Sequence, residues 1–319
     1  MTESLYATTA AMLDESFGPV IRAALADPQV TEIMVNPDGR LWIERQGAPM
    51  VCVGEMARPA VDTMLRLAAT LDGGGTSREH PTVDATLPGG QRLHGAVPPR
   101  VRAPMVTIRT HQQQLLTRAD YVPALCPAVV FDRLWQAVQA RDTVLIAGMM
   151  RSGKTTFLST LMGALGAWER VVTVEDAAEL RQAVPNQVAT FAPQSRLHEV
   201  IEAAWRTAAD RVLISEIRSG LAALAALDVW MGLKGGLCTI HGKSAQDALA
   251  RLAHLCGEVS HAGEFRPRIA AVVDWVVYLE QVEGRRQVRE VMHLKGWNGS
   301  DYVLETWCRD GRAVGPALE

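Results

Sequence analysis

One stretch of this 319-residue chain has residue types and spacing that point directly to a chemistry: Gly148-Met149-Met150-Arg151-Ser152-Gly153-Lys154-Thr155-Thr156. It fits the pattern G-x-x-x-x-G-K-[ST] without a gap. A loop of this kind turns several backbone N–H groups and a helix N-terminus towards an anion. Lys154 is then the side chain that reaches the β- and γ-phosphates of a nucleotide, and the Thr155 hydroxyl is the group that holds Mg²⁺. The pattern requires a strand before it and a helix after it. Residues 142–147 form a β-branched run, and 155–165 carry Phe157, Leu158, Leu161, Met162 and Leu165 at helical spacing. ATP and Mg²⁺ are therefore the expected ligands, with Gly148, Arg151, Ser152, Gly153, Lys154, Thr155 and Thr156 in the cradle.

Hydrolysis of a γ-phosphate also needs a carboxylate that orients water. Two acidic positions end predicted strands, where open α/β sheets place their ligands. Glu175-Asp176 follows Val171-Val172-Thr173-Val174, and Glu216 follows Val212-Leu213-Ile214-Ser215. Residues alone leave open which acid activates water and which supports the metal, and an acid there can also cap the next helix. His241 closes the uncharged strand Leu237-Cys238-Thr239-Ile240. It reads equally as a structural histidine or as a sensor of the terminal phosphate. Arg218, two residues after Glu216, could pair with a carboxylate or meet a phosphate. Arg92, Arg100, Arg102 and Arg109 form a basic local cluster with no aromatic residues between them, which argues against a base-stacking platform.

The elements that would position these groups follow from periodicity. A short helix is expected over 17–26, strands over 31–36 and 41–44 around Asn36-Pro37-Asp38-Gly39, and a helix over 60–71 stopped by Gly73-Gly74-Gly75. Strand-like pieces follow at 82–87, 91–96 and 105–109. That order makes residues 1–110 a small α+β domain. Residues 111–127, with successive glutamines and two prolines, read as a linker. From 128 to 319 strands near 142–147, 170–174, 187–191, 211–215 and 236–241 alternate with helices over 131–140, 155–165, 196–209, 219–232 and 244–256. The alternation predicts a parallel sheet covered by helices on both faces. Residues 271–281 and 287–294 read as an antiparallel hairpin at the sheet edge, and 301–307 as a further strand.

Composition narrows the function classes. A net charge of −3 offers no global basic excess for nucleic acid. Five scattered cysteines give neither a zinc spacing nor a disulfide framework, which suits a reducing compartment. The first fifteen residues carry acids and no apolar core, so no signal peptide is expected, and no apolar run is long enough for a membrane span.

With these pieces placed, the chain resembles the secretion ATPases of type IV systems and pilus motors, and TrbB-type conjugal-transfer ATPases in particular. The resemblance runs from Val30-Thr31-Glu32-Ile33-Met34-Val35-Asn36-Pro37-Asp38-Gly39 to Asp301-Tyr302-Val303-Leu304-Glu305. Val174-Glu175-Asp176-Ala177-Ala178-Glu179-Leu180 is similar to the family's acidic box, Arg211 to Arg218 to its Walker B segment, and Gly235 to His241 to its histidine box. The resemblance implies a RecA-like P-loop motor domain preceded by the smaller α+β domain, assembled as a homohexameric ring. It implies nucleotide between the domains, with Arg92 and Arg109 reaching its phosphates. It further implies a cytoplasmic protein, peripheral at the inner membrane, working with the proteins of a secretion channel. Met149 and Arg151 stand where the family's loop usually has glycines, Ser215 replaces the glycine before Glu216, and Gly242-Lys243 departs from the usual residues after the histidine.

The expected function is an ATP-hydrolysing motor for conjugation, type IV secretion or pilus assembly. Lys154 acts on phosphate, Thr155 and Glu175 on the metal, Glu175 and Glu216 at water and metal, His241 as sensor, and Arg218 near the phosphates. The alternatives are a nucleic-acid translocase on the same core and a nucleotide-gated ring scaffold with little hydrolysis.

Overall fold

The computed structural model describes residues 3–45, 48–71, 73–110, 116–260, 265–282 and 285–315. The glutamines at 112–114 and the expected turn residues Glu283 and Gly284 lie outside them. The chain divides into two compact units, Met1–Gln114 and Leu115–Glu319.

In the first unit, helices α1 (Glu3–Ser16) and α2 (Gly18–Ala26) precede strands β1 (Val30–Val35), β2 (Arg40–Arg45) and β3 (Val51–Glu55). Helix α3 (Arg58–Leu71) and strands β4 (Thr82–Thr86), β5 (Arg92–Ala96) and β6 (Met105–Arg109) follow. The described strands form one antiparallel sheet in the order β3-β2-β1-β6-β5-β4. One face packs on the helices: Ile33, Ile43, Leu93 and Ile108 meet Leu13, Ile21, Met64 and Leu65 in a closed core. This is the α+β layering expected when one sheet face is covered and the other left to solvent. Two elements escaped the sequence reading. Helix α1 buries few apolar side chains and leaves Leu5, Tyr6 and Met12 exposed, so it carries little helical periodicity. Strand β3 is exposed at every position, so the alternation that marks a half-buried strand is missing.

The second unit begins where a linker was expected. Residues 116–127 pack onto it through a short helix α4 (Arg118–Tyr121), and Tyr121 and Cys126 sit in its core against Phe131 and Phe157. Next come α5 (Ala128–Gln139), β7 (Val144–Gly148), α6 (Lys154–Leu161), β8 (Val171–Glu175) and β9 (Gln187–Phe191). Then follow α7 (Leu197–Ala203), β10 (Arg211–Ile217), α8 (Gly220–Gly232), β11 (Leu237–His241), α9 (Ala245–Val259) and α10 (Phe265–Val272). Strands β12 (Trp275–Val282), β13 (Arg285–Trp297), β14 (Tyr302–Arg309) and β15 (Arg312–Ala313) end the unit. Among the described residues the sheet order is β15-β14-β13-β12-β7-β11-β10-β8-β9.

The stretch from β12 to β9 is parallel throughout, and β7 is buried at all five positions. Leu145 and Ala147 face one helix layer with α8 and α9, while Val144 and Ile146 face the other with α5 and α6. Burial on both faces is why these strands read as continuous apolar runs. The hairpin expected at the sheet edge is corrected: β12 and β13 do pair antiparallel, but β12 also pairs in parallel with β7, so the hairpin lies inside the sheet. Residues 265–272 are helical where the start of a strand was expected at 271. Among the described residues no helix is long and apolar enough to cross a membrane.

A candidate nucleotide site at the strand ends

The loop between β7 and α6 is held open by three local constraints. A methyl group on Gly148 would come within 2.3 Å of Ser152 Oγ and 2.6 Å of the Leu279 carbonyl, so only glycine fits there. Gly153 has φ of 90°, a left-handed conformation that glycine adopts without strain, and caps α6. Arg151 has φ of 64° with a full side chain, which is the conformation a glycine would take more easily. Met149 and Met150 project outward at 51% and 69% exposure.

Lys154 is buried beneath this loop, and its Nζ donates to the carbonyls of Gly148 (2.9 Å) and Met149 (3.0 Å). Burial lowers its pKa from the ordinary lysine value, while the Glu216 carboxylate acts in the opposite sense. Ser152 Oγ is buried with no hydrogen-bond partner, an unspent polar group inside the loop.

The two predicted acids occupy different environments. Glu175, at the end of β8, is fully buried, and its carboxylate accepts from Thr173 Oγ1 and from the backbone N–H groups of Glu179 and Leu180, each at 2.8 Å. Burial raises its pKa. It therefore folds back on the segment that follows it. That turn carries Glu179 to the loop, where Thr155 Oγ1 donates to Glu179 Oε2 at 3.2 Å. Glu179 was not singled out from the sequence, although it stands in the acidic box; nothing in the spacing of an irregular segment signals which of its acids faces the loop.

Glu216 is the penultimate residue of β10, beside the loop. Its Oε2 accepts from Arg218 Nε at 2.7 Å and also from Arg218 Nη2. Its Oε1 lies 2.9 Å from His241 Nε2, out of line for a hydrogen bond. Arg218 extends to Asp176 Oδ2 at 3.5 Å. The pairing of β10 with β11 shifts register between Ile214 and Ile217, and Thr239 Oγ1 donates to the Ser215 carbonyl at 2.6 Å, so a bulge secured by Thr239 presents Glu216. His241 pairs in register with Gly148. Burial lowers its pKa, against the opposing pull of Glu216, and leaves a neutral imidazole favoured. Lys154, Thr155, Glu179, Glu216, Arg218 and His241 thus converge at one end of the sheet, where open α/β folds bind ligands.

The residues fit a nucleoside triphosphate and its Mg²⁺: a cradle that Cβ atoms would fill, a free buried hydroxyl, a buried ammonium and a threonine beside a carboxylate. Among the described residues no three acids, histidines or cysteines gather into a metal cluster. Magnesium in phosphate-transfer sites needs none, taking one or two carboxylates with the substrate's own phosphates. Arg92 and Arg109 belong to the first unit. They are register partners across β5 and β6, and Arg109 Nε donates to the buried Glu32 Oε1 at 2.8 Å.

Comparison with known proteins gives concordant results. Residues 14–294 match the family described as type II/IV secretion system protein. The conjugal transfer protein TrbB of Rhizobium radiobacter is 33% identical over 304 residues, covering 93% of this chain and 94% of that protein. Among solved structures, the ATPase DotB of Legionella pneumophila has a TM-score of 0.64 at 16% identity, covering 89% of this chain and 81% of that one. The pilus retraction motor PilT solved with bound ADP has a TM-score of 0.60 at 14% identity, covering 92% and 81%. At such identities the two structures speak for the fold alone, a RecA-like α/β domain preceded by a smaller α+β domain.

Proposed function

The chain belongs to the type II/IV secretion system protein family, and on that premise we propose that it is an ATP-hydrolysing motor of a conjugation-type secretion or pilus system. The observation that carries this reading is the convergence of Glu216 and His241 on the loop that buries Lys154. Lys154 exchanges loop carbonyls for β- and γ-phosphate oxygens. Mg²⁺ supplies charge neutralisation to the phosphates when bound, and Thr155 with Glu179 are the groups that would hold it, Glu175 acting by fixing the backbone of Glu179. Glu216 orients the attacking water. Arg218, which holds Glu216 and Asp176 together, is the cation that can follow the developing negative charge. His241, neutral and next to the loop carbonyls, reports whether the terminal phosphate is present.

A homohexameric ring, partners in an inner-membrane channel, a peripheral place at the cytoplasmic face, and completion of the site by Arg92 and Arg109 are part of the same proposal. The TrbB relative, named for conjugal transfer, supports the system assigned. The test is phosphate release by the purified protein with particle mass followed by light scattering. Hydrolysis in a ring-sized particle, lost in Lys154→Ala, is the expected result; wild-type turnover in that variant would refute the site.

A further inference from the structure

The β12–β13 hairpin places a second cation on the phosphate loop from the side opposite His241. Gly148 has His241 as its register partner on β11 and Leu279 as its partner on β12, so the loop emerges between the two. Two residues beyond Leu279, Gln281 pairs with Arg286 of β13. The Arg286 stem lies against the loop: a methyl group on Gly153 would come within 2.9 Å of Arg286 Cδ and 3.7 Å of its Cβ and Cγ. Arg286 shares a strand face with Val288, which packs in the core beside Phe157 of α6, and its charge is felt at the buried Tyr121. Among the described residues no carboxylate pairs with the Arg286 guanidinium. A half-buried arginine with no carboxylate partner among the described residues, its stem against the N-cap of a phosphate-loop helix, is a group prepared for an anion.

Direction along the nucleotide follows from topology. Lys154, Glu216, Arg218 and His241 all stand on the β11 side, which fixes the terminal phosphate there. The nucleoside end must then leave towards β12. We infer that Arg286 is a nucleotide-binding residue that grips the nucleoside end of a nucleoside di- or triphosphate by pairing with its α-phosphate. This rests on the nucleotide site proposed above. Because the α-phosphate does not change charge during γ-phosphate transfer, the contact is uniform between ground and transition state. It sets KM and leaves kcat alone.

The experiment is ADP binding by titration calorimetry to the full chain, wild type, Lys154→Ala, Arg286→Met and Arg286→Lys, with steady-state ATP hydrolysis on the same samples. Methionine keeps the stem against Gly153, and a thermal melt checks that the fold is retained. Arg286→Met should weaken ADP roughly ten-fold or more, the usual loss for a hydrogen bond to a charged group, with partial recovery in Arg286→Lys. KM for ATP should rise in proportion, with kcat within about two-fold. Wild-type ADP affinity in Arg286→Met, or a fall in kcat at unchanged KM, would overturn the inference while Lys154→Ala still loses ADP. Absence of ADP binding to the wild type would instead overturn the site itself.

Discussion

Glu216 Oε1 and His241 Nε2 lie 2.9 Å apart at the ends of two neighbouring parallel strands, within reach of the loop that buries Lys154. The contact joins a bulge in β10 to the last residue of β11, and Gly148 is the register partner of that same histidine. Any change in charge at the loop is therefore felt at both residues at once.

His241 gives a pH signature. Burial holds its folded pKa below the ordinary histidine value. As pH falls, the unfolded chain takes up this proton first, near the ordinary histidine value of about 6.5, and the folded chain only at lower pH. Stability contributed by the neutral ring is thus complete above that window and is lost as pH drops through it. Denaturant unfolding at neutral and mildly acidic pH should show a smaller loss in His241→Gln than in the wild type; equal losses would show that the ring is not held neutral by its site.

Glu175 and Glu179 should separate in function. Glu175 has a raised pKa from burial, so the folded state takes up its proton before the unfolded chain does, and its contribution fades as pH rises. Glu175→Gln keeps an acceptor for the Glu179 and Leu180 N–H groups and removes a buried charge, so stability at neutral pH should not fall. Glu179→Ala removes the partner of Thr155 and should weaken Mg²⁺ dependence by roughly ten- to a hundred-fold, as loss of metal-supporting groups does. Magnesium titrations of hydrolysis, with melts of both variants, check the pair.

Arg151 sits in a left-handed conformation that costs a non-glycine residue about 1–2 kcal/mol. Arg151→Gly should therefore raise stability by about 1 kcal/mol, measured by denaturant unfolding, with nucleotide binding kept. A loss of stability would mean that the arginine side chain contributes more than its backbone costs.

At the far end of the sheet Arg211 and Glu169 are both buried, with Arg211 Nε donating to Glu169 Oε1 at 3.0 Å and Nη1 to the Val138 carbonyl at 2.8 Å. Arg211→Ala removes one of two arginines from Glu169, whose carboxylate keeps Arg141 Nε at 3.1 Å and the Gly166 N–H at 3.0 Å, and takes the guanidinium donor from the Val138 carbonyl, so an unfolding free energy lower by about 1–3 kcal/mol is expected. A cost below about 1 kcal/mol, the surface-pair range, would contradict this.

Much of this molecule was readable because the parallel sheet of its second unit is buried on both faces. Runs such as Val171-Val172-Thr173-Val174 and Val212-Leu213-Ile214 announce themselves, and acids at their ends follow from the rule for open sheets. The sequence could not say which strand lies beside β7, because pairing partners are set by long-range packing that alternation does not record; that is why the β12–β13 hairpin was expected at an edge. Strand β3 is exposed on both faces and gave no signal. At the site, Glu175 was legible as an acid after a strand, whereas its carboxylate turning inward depends on backbone donors four and five residues later. Glu179 and Arg286 reach the loop from an irregular segment and from a hairpin, where residue spacing carries no geometry.

The central claim is that Glu216 orients the water that attacks ATP, and phosphate release by Glu216→Gln measured beside its ATP affinity tests it most directly. Glu216→Gln should bind ATP at close to wild-type affinity with turnover reduced at least a hundred-fold, the scale of removing a group that acts in the transition state. Turnover close to wild type in that variant would contradict it.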